Sequence, residues 1–231
     1  MDTSAAVTQL RTNGFAVIDR LVDDETVEAL RDAYDEIINR QVQASGDRML
    51  GGITRQVMGP STAHPRFDAN AALDQASQVA AAYFGDAVGR TFDMLINKPA
   101  GHPHETPWHQ DFAYGGAPVQ PTGARPERDT IQVWVALDDV DEHNGCMQFV
   151  PGYHDRPMLE HYVASGEPTD PGRLLAMVAP ERDLDLDQRV IAALPAGGCT
   201  MHLSCTPHYT GPNTSSSRGR RAYIFNLAPA Q

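Results

Sequence analysis

From residue 88 onward the chain breaks into short apolar and β-branched runs, and this texture constrains the fold more than any other feature. "VGRTFDMLINKP", "TPWHQDFAY", "TIQVWVALDDV", "CMQFVPG", "CTMHLSC" and "RAYIFNL" each have strand length, and Gly, Pro and Asn punctuate the gaps. The first 87 residues read differently. "TQLRTNGF" ends a short helix at Gly14, and "FAVIDRL" is a short apolar strand. "DDETVEALRDAYDEIINR" is a helix with acidic residues in its first turn, where they suit the dipole. Val27, Leu30, Tyr34, Ile37 and Ile38 share one face of it at helical spacing. A loop is expected over "SGDRMLGGITRQVMGPSTAHPR", and a further helix over "NAALDQASQVAAAYFG". Many short strands behind a helical start predict a mainly-β fold with flanking helices, a sandwich or barrel. With 231 residues the chain has enough for one substantial core. The expected organisation is a single domain over 1–231, with helix-rich support over 1–87 and the strand core over 88–231. A segment at about 153–190, rich in Asp, Glu, Pro and Arg, is expected as a long non-strand insertion with a functional or mobile role.

Charge and composition narrow the function. A net charge of −12 opposes a nucleic-acid surface and disfavours a large polyanionic substrate. No apolar run approaches the ~20 residues that cross a bilayer. The opening "MDTSAAVTQLRTNG" lacks the basic-then-apolar pattern of a signal peptide. The expectation is a cytoplasmic protein that acts on a small molecule, with no nucleic-acid or membrane partner; the sequence leaves its oligomeric state open. Cys146, Cys199 and Cys205 are odd in number and lack C-x-x-C spacing, so buried reduced thiols are expected.

The candidate chemistry sits in "PWHQDFAYGG", residues 107–116. Residues i and i+2 of a strand face the same side, so His109 and Asp111 are expected to aim an imidazole and a carboxylate into one space. That supplies two of the three ligands of the 2-His-1-carboxylate set that holds non-haem iron(II) with open positions. The competing reading is a histidine that happens to lie near an aspartate. A third ligand must come from far along the chain. His202 and His208 both qualify, but on one straight strand they would stand ~20 Å apart, and Pro207 between them implies a turn. Downstream, Arg220 and Arg221 open the last strand, where a planar guanidinium suits a carboxylate.

Several segments, taken in order, resemble the phytanoyl-CoA dioxygenase family of iron(II)- and 2-oxoglutarate-dependent oxygenases. "LINKPAGHPHETPWHQD" is similar to the family's strand, Lys-Pro and W-H-x-D segment. "VWVALDDVDEHNGCMQFVPGYH" is similar to its W-x-A-L-D-D…N-G…P-G-S-H segment, with Tyr153 where Ser is usual. "HLSCTPHYTGPNTSSSRGRRA" resembles its H-x5-H ending, and "NGFAVIDRLVDDETVEALRDAYD" its opening. The resemblance covers nearly the whole chain. It implies a double-stranded β-helix, or jelly roll, with iron(II), 2-oxoglutarate as cosubstrate and dioxygen.

Carried across residue by residue, the resemblance implies His109, Asp111 and His208 as metal ligands. It implies Arg220 as the anchor of the distal carboxylate of 2-oxoglutarate, with Arg221 as the alternative because the "NTSSSRGRR" loop is one residue longer than usual. Lys98, Thr210, Trp134 and Gln132 are expected at the cosubstrate pocket, and His202 beside the ligands. His102, His104 and His154 receive no role. Asp111 favours hydroxylation of a small or medium-sized metabolite with release of succinate and carbon dioxide. Desaturation, epimerisation or cyclisation use the same triad. Rival readings are a non-catalytic jelly roll that binds a metal or ligand, and zinc hydrolysis at the same three ligands. Segments 48–56, 113–129 and 153–190 are expected to enclose the substrate, with Arg48, Arg55, Arg125 and Arg128 as candidates to meet an anionic group on it.

Overall fold

The structure, a computed structural model, describes residues 2–40, 42, 44, 46–127 and 129–230. The chain opens with α1 (Thr3–Asn13), β1 (Phe15–Ile18) and α2 (Asp24–Ile38). A hairpin of β2 (Gly46–Leu50) and β3 (Thr54–Met58) follows, then α3 (Pro60–Ala63), α4 (Pro65–Asp68), α5 (Ala71–Phe84) and the long β4 (Val88–Lys98). Next come β5 (Thr106–His109), β6 (Ile131–Ala136), β7 (Met147–Phe149), β8 (His161–Ser165), β9 (Leu174–Met177) and α6 (Pro180–Asp183). The remaining strands are β10 (Val190–Ala192), β11 (Cys199–Leu203), β12 (His208–Thr210) and β13 (Arg220–Pro229).

Seven strands form one antiparallel sheet in the order β1-β11-β6-β13-β4-β3-β2, and four form a second in the order β10-β7-β12-β5. The two sheets share a core in which Trp134 and Ile224 of the large sheet meet Met147 and Phe149 of the small one. This is the jelly roll expected from the sequence. The helices cover the other face of the large sheet. Asp23 caps α2 by accepting from the Thr26 N–H, Asn70 caps α5 by accepting from the Leu73 N–H, and Val27, Leu30, Ala33, Tyr34 and Ile37 form the buried face of α2. In β6, Ile131, Val133 and Val135 pack toward the helices while Trp134 and Ala136 pack between the sheets. A strand buried on both faces needs an almost continuous apolar run, which is what "IQVWVA" supplies.

Two segments differ from expectation. Residues 46–58 form a hairpin where a loop is expected: Gly51 and Gly52 adopt positive φ angles of 57° and 78°, which reverses the chain between paired Leu50 and Thr54. The 153–190 segment, expected without strands, contains the antiparallel pair β8–β9, with His161 opposite Met177. Its Met158 and Leu175 pack on Ala113, just past the H-Q-D motif.

Candidate active site

β5 and β12 are neighbours in the small sheet, and their register sets His109 directly opposite His208. The imidazole centroids lie 4.1 Å apart. Asp111 arrives differently from the sequence expectation. β5 ends at His109, and Asp111 begins a 3-10 turn over Asp111–Gly115. Gln110 between them keeps extended backbone (φ −117°, ψ 129°), so the i, i+2 relation survives past the last ladder pair. The Asp111 Oδ1 atom lies 3.6 Å from the Nε2 of both His109 and His208. One ligand atom from each of the three residues falls within 4.8 Å of the others.

The protonation pattern suits a cation. His109 Nδ1 donates to the Pro107 carbonyl at 2.7 Å, and His208 Nδ1 to the Thr206 carbonyl at 3.0 Å. A carbonyl only accepts, so each Nδ1 carries a proton, and Nε2 is the ring nitrogen turned toward Asp111 and open to a metal. Burial holds His208 well below the usual imidazole range, reinforced by His109 and His202. Burial alone would raise Asp111, but His208, His109 and His202 outweigh it and hold the carboxyl well below its usual range. The result is two imidazole nitrogens and one carboxylate oxygen gathered at one point, a donor set that fits iron(II). The second carboxylate oxygen is already engaged: Gln132 Nε2 donates to Oδ2 at 2.6 Å, and His202 Nε2 stands 3.2 Å from it. Only Oδ1 is left for a metal.

Arg220 begins β13 opposite Lys98 and is almost wholly buried. Its Nε and Nη2 atoms have no hydrogen-bond partner among the described residues, and its guanidinium lies 5.3 Å from the Trp134 ring centroid. Burial lowers it to about 10, so it stays charged at neutral pH. A buried cation without an anion is costly, and a carboxylate presented to those two N–H groups removes the deficit. Arg221 points elsewhere. It pairs with Asp138 at 2.7 Å and Asp35 at 3.2 Å. Adjacent residues of a strand face opposite sides, which separates the two arginines.

His109, Asp111, His208, Thr210, Trp134, Gln132 and Arg220 all line one cavity of about 470 Å³. Gln132 lines the cavity with its amide nitrogen donating to Asp111. Lys98 does not line the cavity. Its Nζ donates to the Thr210 Oγ1 (2.9 Å), the Thr210 carbonyl (3.3 Å) and the Gly211 carbonyl (2.7 Å), so it braces Thr210 from behind. The sequence reading missed Gln110. This buried side chain donates to the Cys205 carbonyl and accepts from the Leu159 N–H, tying the H-Q-D turn to the β11–β12 turn and to the 153–190 segment. It also missed His161, whose Nε2 accepts the Gln110 backbone N–H at 3.0 Å. Nothing local in the sequence marks either residue, because each partner lies dozens of positions away. His102 contacts Thr54 and packs edge-on against His104, away from the cluster, and His154 lies against the Arg11 carbonyl.

Residues 10–222 match the model of the phytanoyl-CoA dioxygenase (PhyH) family. The chain is 29% identical over 164 residues to rat peroxisomal phytanoyl-CoA dioxygenase, covering 64% of this chain and 46% of that one. It is 27% identical over 190 residues to a probable alpha-ketoglutarate-dependent hypophosphite dioxygenase of Stutzerimonas stutzeri, covering 80% of this chain and 61% of that one. This chain therefore spans roughly half to three-fifths of these two relatives. Among solved structures, EvdO2 from Micromonospora carbonacea var. aurantiaca complexed with 2-oxoglutarate superposes with a TM-score of 0.79 and 27% identity, covering 97% of this chain and 90% of that one. Matched along most of its length by the family model, and folded like a structure that holds 2-oxoglutarate, the chain belongs to the phytanoyl-CoA dioxygenase family.

Proposed function

We propose that the protein is an iron(II)- and 2-oxoglutarate-dependent oxygenase that hydroxylates a small or medium-sized metabolite. The observation that carries this reading is the pairing, in one cavity, of the His109–Asp111–His208 cluster with a buried arginine whose Nε and Nη2 lack partners among the described residues. A metal-binding protein without turnover, or a zinc hydrolase, has no use for that second feature. The similarity to EvdO2, which binds 2-oxoglutarate, supports the same reading.

In this reading His109, Asp111 Oδ1 and His208 hold the metal, and Arg220 takes the distal carboxylate of 2-oxoglutarate by two N–H groups. Bound together with dioxygen, iron and cosubstrate supply the oxidising power, with succinate and carbon dioxide released. The chain supplies geometry. Gln132 and His202 fix the carboxylate that meets the metal, Lys98 holds Thr210 at the cavity wall, and Trp134 closes the side of the anion site. Burial and the neighbouring Arg220 charge pull Lys98 down to about 6, whereas its three acceptors match a full ammonium. A dicarboxylate beside Arg220 offsets that repulsion and favours the ammonium form. Cys146, Cys199 and Cys205 are free and buried, which suits the reducing cytoplasm proposed as its compartment. No helix among the described residues is long and apolar enough to cross a membrane.

Replacing Arg220 with Met tests the assignment. Removing one partner of a buried charge pair costs about 2–4 kcal/mol, so 2-oxoglutarate affinity is expected to fall roughly 30- to 1,000-fold while iron(II) affinity holds. Unchanged 2-oxoglutarate binding in that variant overturns the arginine's role.

A further inference from the structure

The cavity extends well beyond the metal cluster and Arg220, and its outer wall is built from the far strands of the large sheet. The registers define three rows across that wall. One holds Asn226, Gln132 and His202, next to Asp111. The next is mostly apolar: Met58 pairs with Met94, and Met94 with Ile224, which pairs with Trp134. The third begins on the edge strand, where Arg48 pairs with Gln56 and Gln56 with Ile96. β2 lies four strands from β6 in the sheet, roughly 19 Å at ordinary strand spacing. Arg48 thus stands at the rim of the cavity, separated from Gln132 by a largely apolar surface.

Arg48 differs from its neighbours in what it binds. Its Nε donates to Gln56 Oε1 at 3.2 Å, and Gln56 is buried, so the guanidinium is held in place on the cavity side. Its terminal nitrogens have no carboxylate partner among the described residues. Asp170, on the adjoining loop, accepts from the Gly172 N–H and acts on Arg48 through its charge without a direct contact. The other arginines proposed from the sequence are engaged or elsewhere. Arg55 forms a two-point pair with Asp47, Arg125 reaches the Asp155 carbonyl, and Arg128 lies outside the described residues. Among the described residues that line the cavity, Arg48 and Arg220 are the cationic side chains, and the oxygenase reading assigns Arg220 to the cosubstrate. In a protein of net charge −12, an arginine held at the cavity wall with no carboxylate in direct contact among the described residues sets a local positive charge against the global field.

We propose that the substrate is a mainly apolar small molecule bearing one anionic group, a carboxylate or phosphate monoester. Arg48 binds that group at the cavity rim while the apolar body lies along Met58, Met94 and Ile224 toward Asp111. This rests on the oxygenase reading for the direction of the substrate, and on the cavity alone for its chemical class. Asn226 stands beside Gln132, with its Oδ1 buried and without a partner among the described residues.

The test is calorimetric titration of octanoate, octyl phosphate, octanol and octylamine into protein loaded with iron(II) and 2-oxoglutarate in the absence of oxygen. At least one of the two anions is expected to bind tenfold or more tightly than octanol and octylamine, and which of them does so identifies the acid group. Arg48→Gln should lose that preference while binding octanol as the wild type does and 2-oxoglutarate within twofold. Arg48→Lys should keep part of the preference. Equal binding of the anions and octanol by the wild type, or an intact anion preference in Arg48→Gln, overturns the proposal. If iron(II) and 2-oxoglutarate fail to bind the wild type, the oxygenase reading fails separately, because titration of the metal-free protein still reads the Arg48 site.

Discussion

At the scale of single residues, the site depends on what holds Asp111. A free carboxylate can rotate and bind a metal through either oxygen or both. Here Gln132 and His202 occupy Oδ2, so the Oδ1 atom alone faces His109 and His208. Loss of such an orienting contact typically weakens metal affinity about 10- to 100-fold. Gln132→Leu is therefore expected to lower iron(II) affinity by that factor, read by competition with a chelating dye, while Asp111→Ala abolishes turnover. Wild-type iron affinity in Gln132→Leu would show that the amide does not orient the ligand. Much of this residue-level picture was legible in the sequence. The ordered motifs shared with a family point to His109, Asp111, His208 and the Arg220–Arg221 pair. The choice between Arg220 and Arg221 was not legible, because it depends on which face of β13 meets the cavity, and the acids that claim Arg221, Asp35 and Asp138, sit on other elements.

At the scale of elements, the turn after β5 is fixed from outside. Gln110 spans two neighbouring segments, and His161 of β8 accepts its backbone N–H. Accepting requires a neutral ring, and burial pushes His161 down to about 4. A histidine whose folded pKa is lowered binds its proton more readily in the unfolded chain. Its contribution is therefore complete above the unfolded value near 6.5 and is lost as pH falls toward 4. At 1.36 kcal/mol for each unit, the loss is about 3 kcal/mol across that window. Urea midpoints at pH 7 and 4.5 should show a shallower acid loss for His161→Gln than for the wild type; identical slopes would contradict the role. Gly14, which ends α1 at φ 86°, gives a second element-level expectation. A Cβ there would sit 2.6 Å from His154 Nδ1, so Gly14→Ala should cost at least ~1–2 kcal/mol and lower the melting temperature. Helices α1, α2 and α5 and most strands were readable from periodicity, charge placement and turn residues, whereas the four-residue helices α3, α4 and α6 were not. The β2–β3 hairpin was hidden because "DRML" and "TRQV" carry too little apolar alternation. β8–β9 was hidden because its partner contacts, on Ala113 and the β5 end, are remote in sequence.

At the scale of the whole molecule, the jelly roll brings together groups that the chain spreads over more than a hundred positions. His109 and Asp111 come from the end of β5 and its turn, His208 from β12 beside it, and Arg220 from the start of β13 in the facing sheet. One largely apolar cavity then joins the His109–Asp111–His208 cluster, the buried Arg220 and Arg48. Periodicity could predict layers of strands, but not which strands become neighbours, so the site's assembly was readable only through the ordered set of motifs shared with a family. The proposed oxygenase requires that this cavity hold iron(II) and 2-oxoglutarate together. Its most direct test is anaerobic addition of iron(II) and then 2-oxoglutarate to the metal-free protein, followed in the visible range. The expected result is a weak metal-to-ligand charge-transfer band that saturates at one equivalent of each and is lost in Asp111→Ala. A protein that retains zinc tightly and develops no such band would contradict the account.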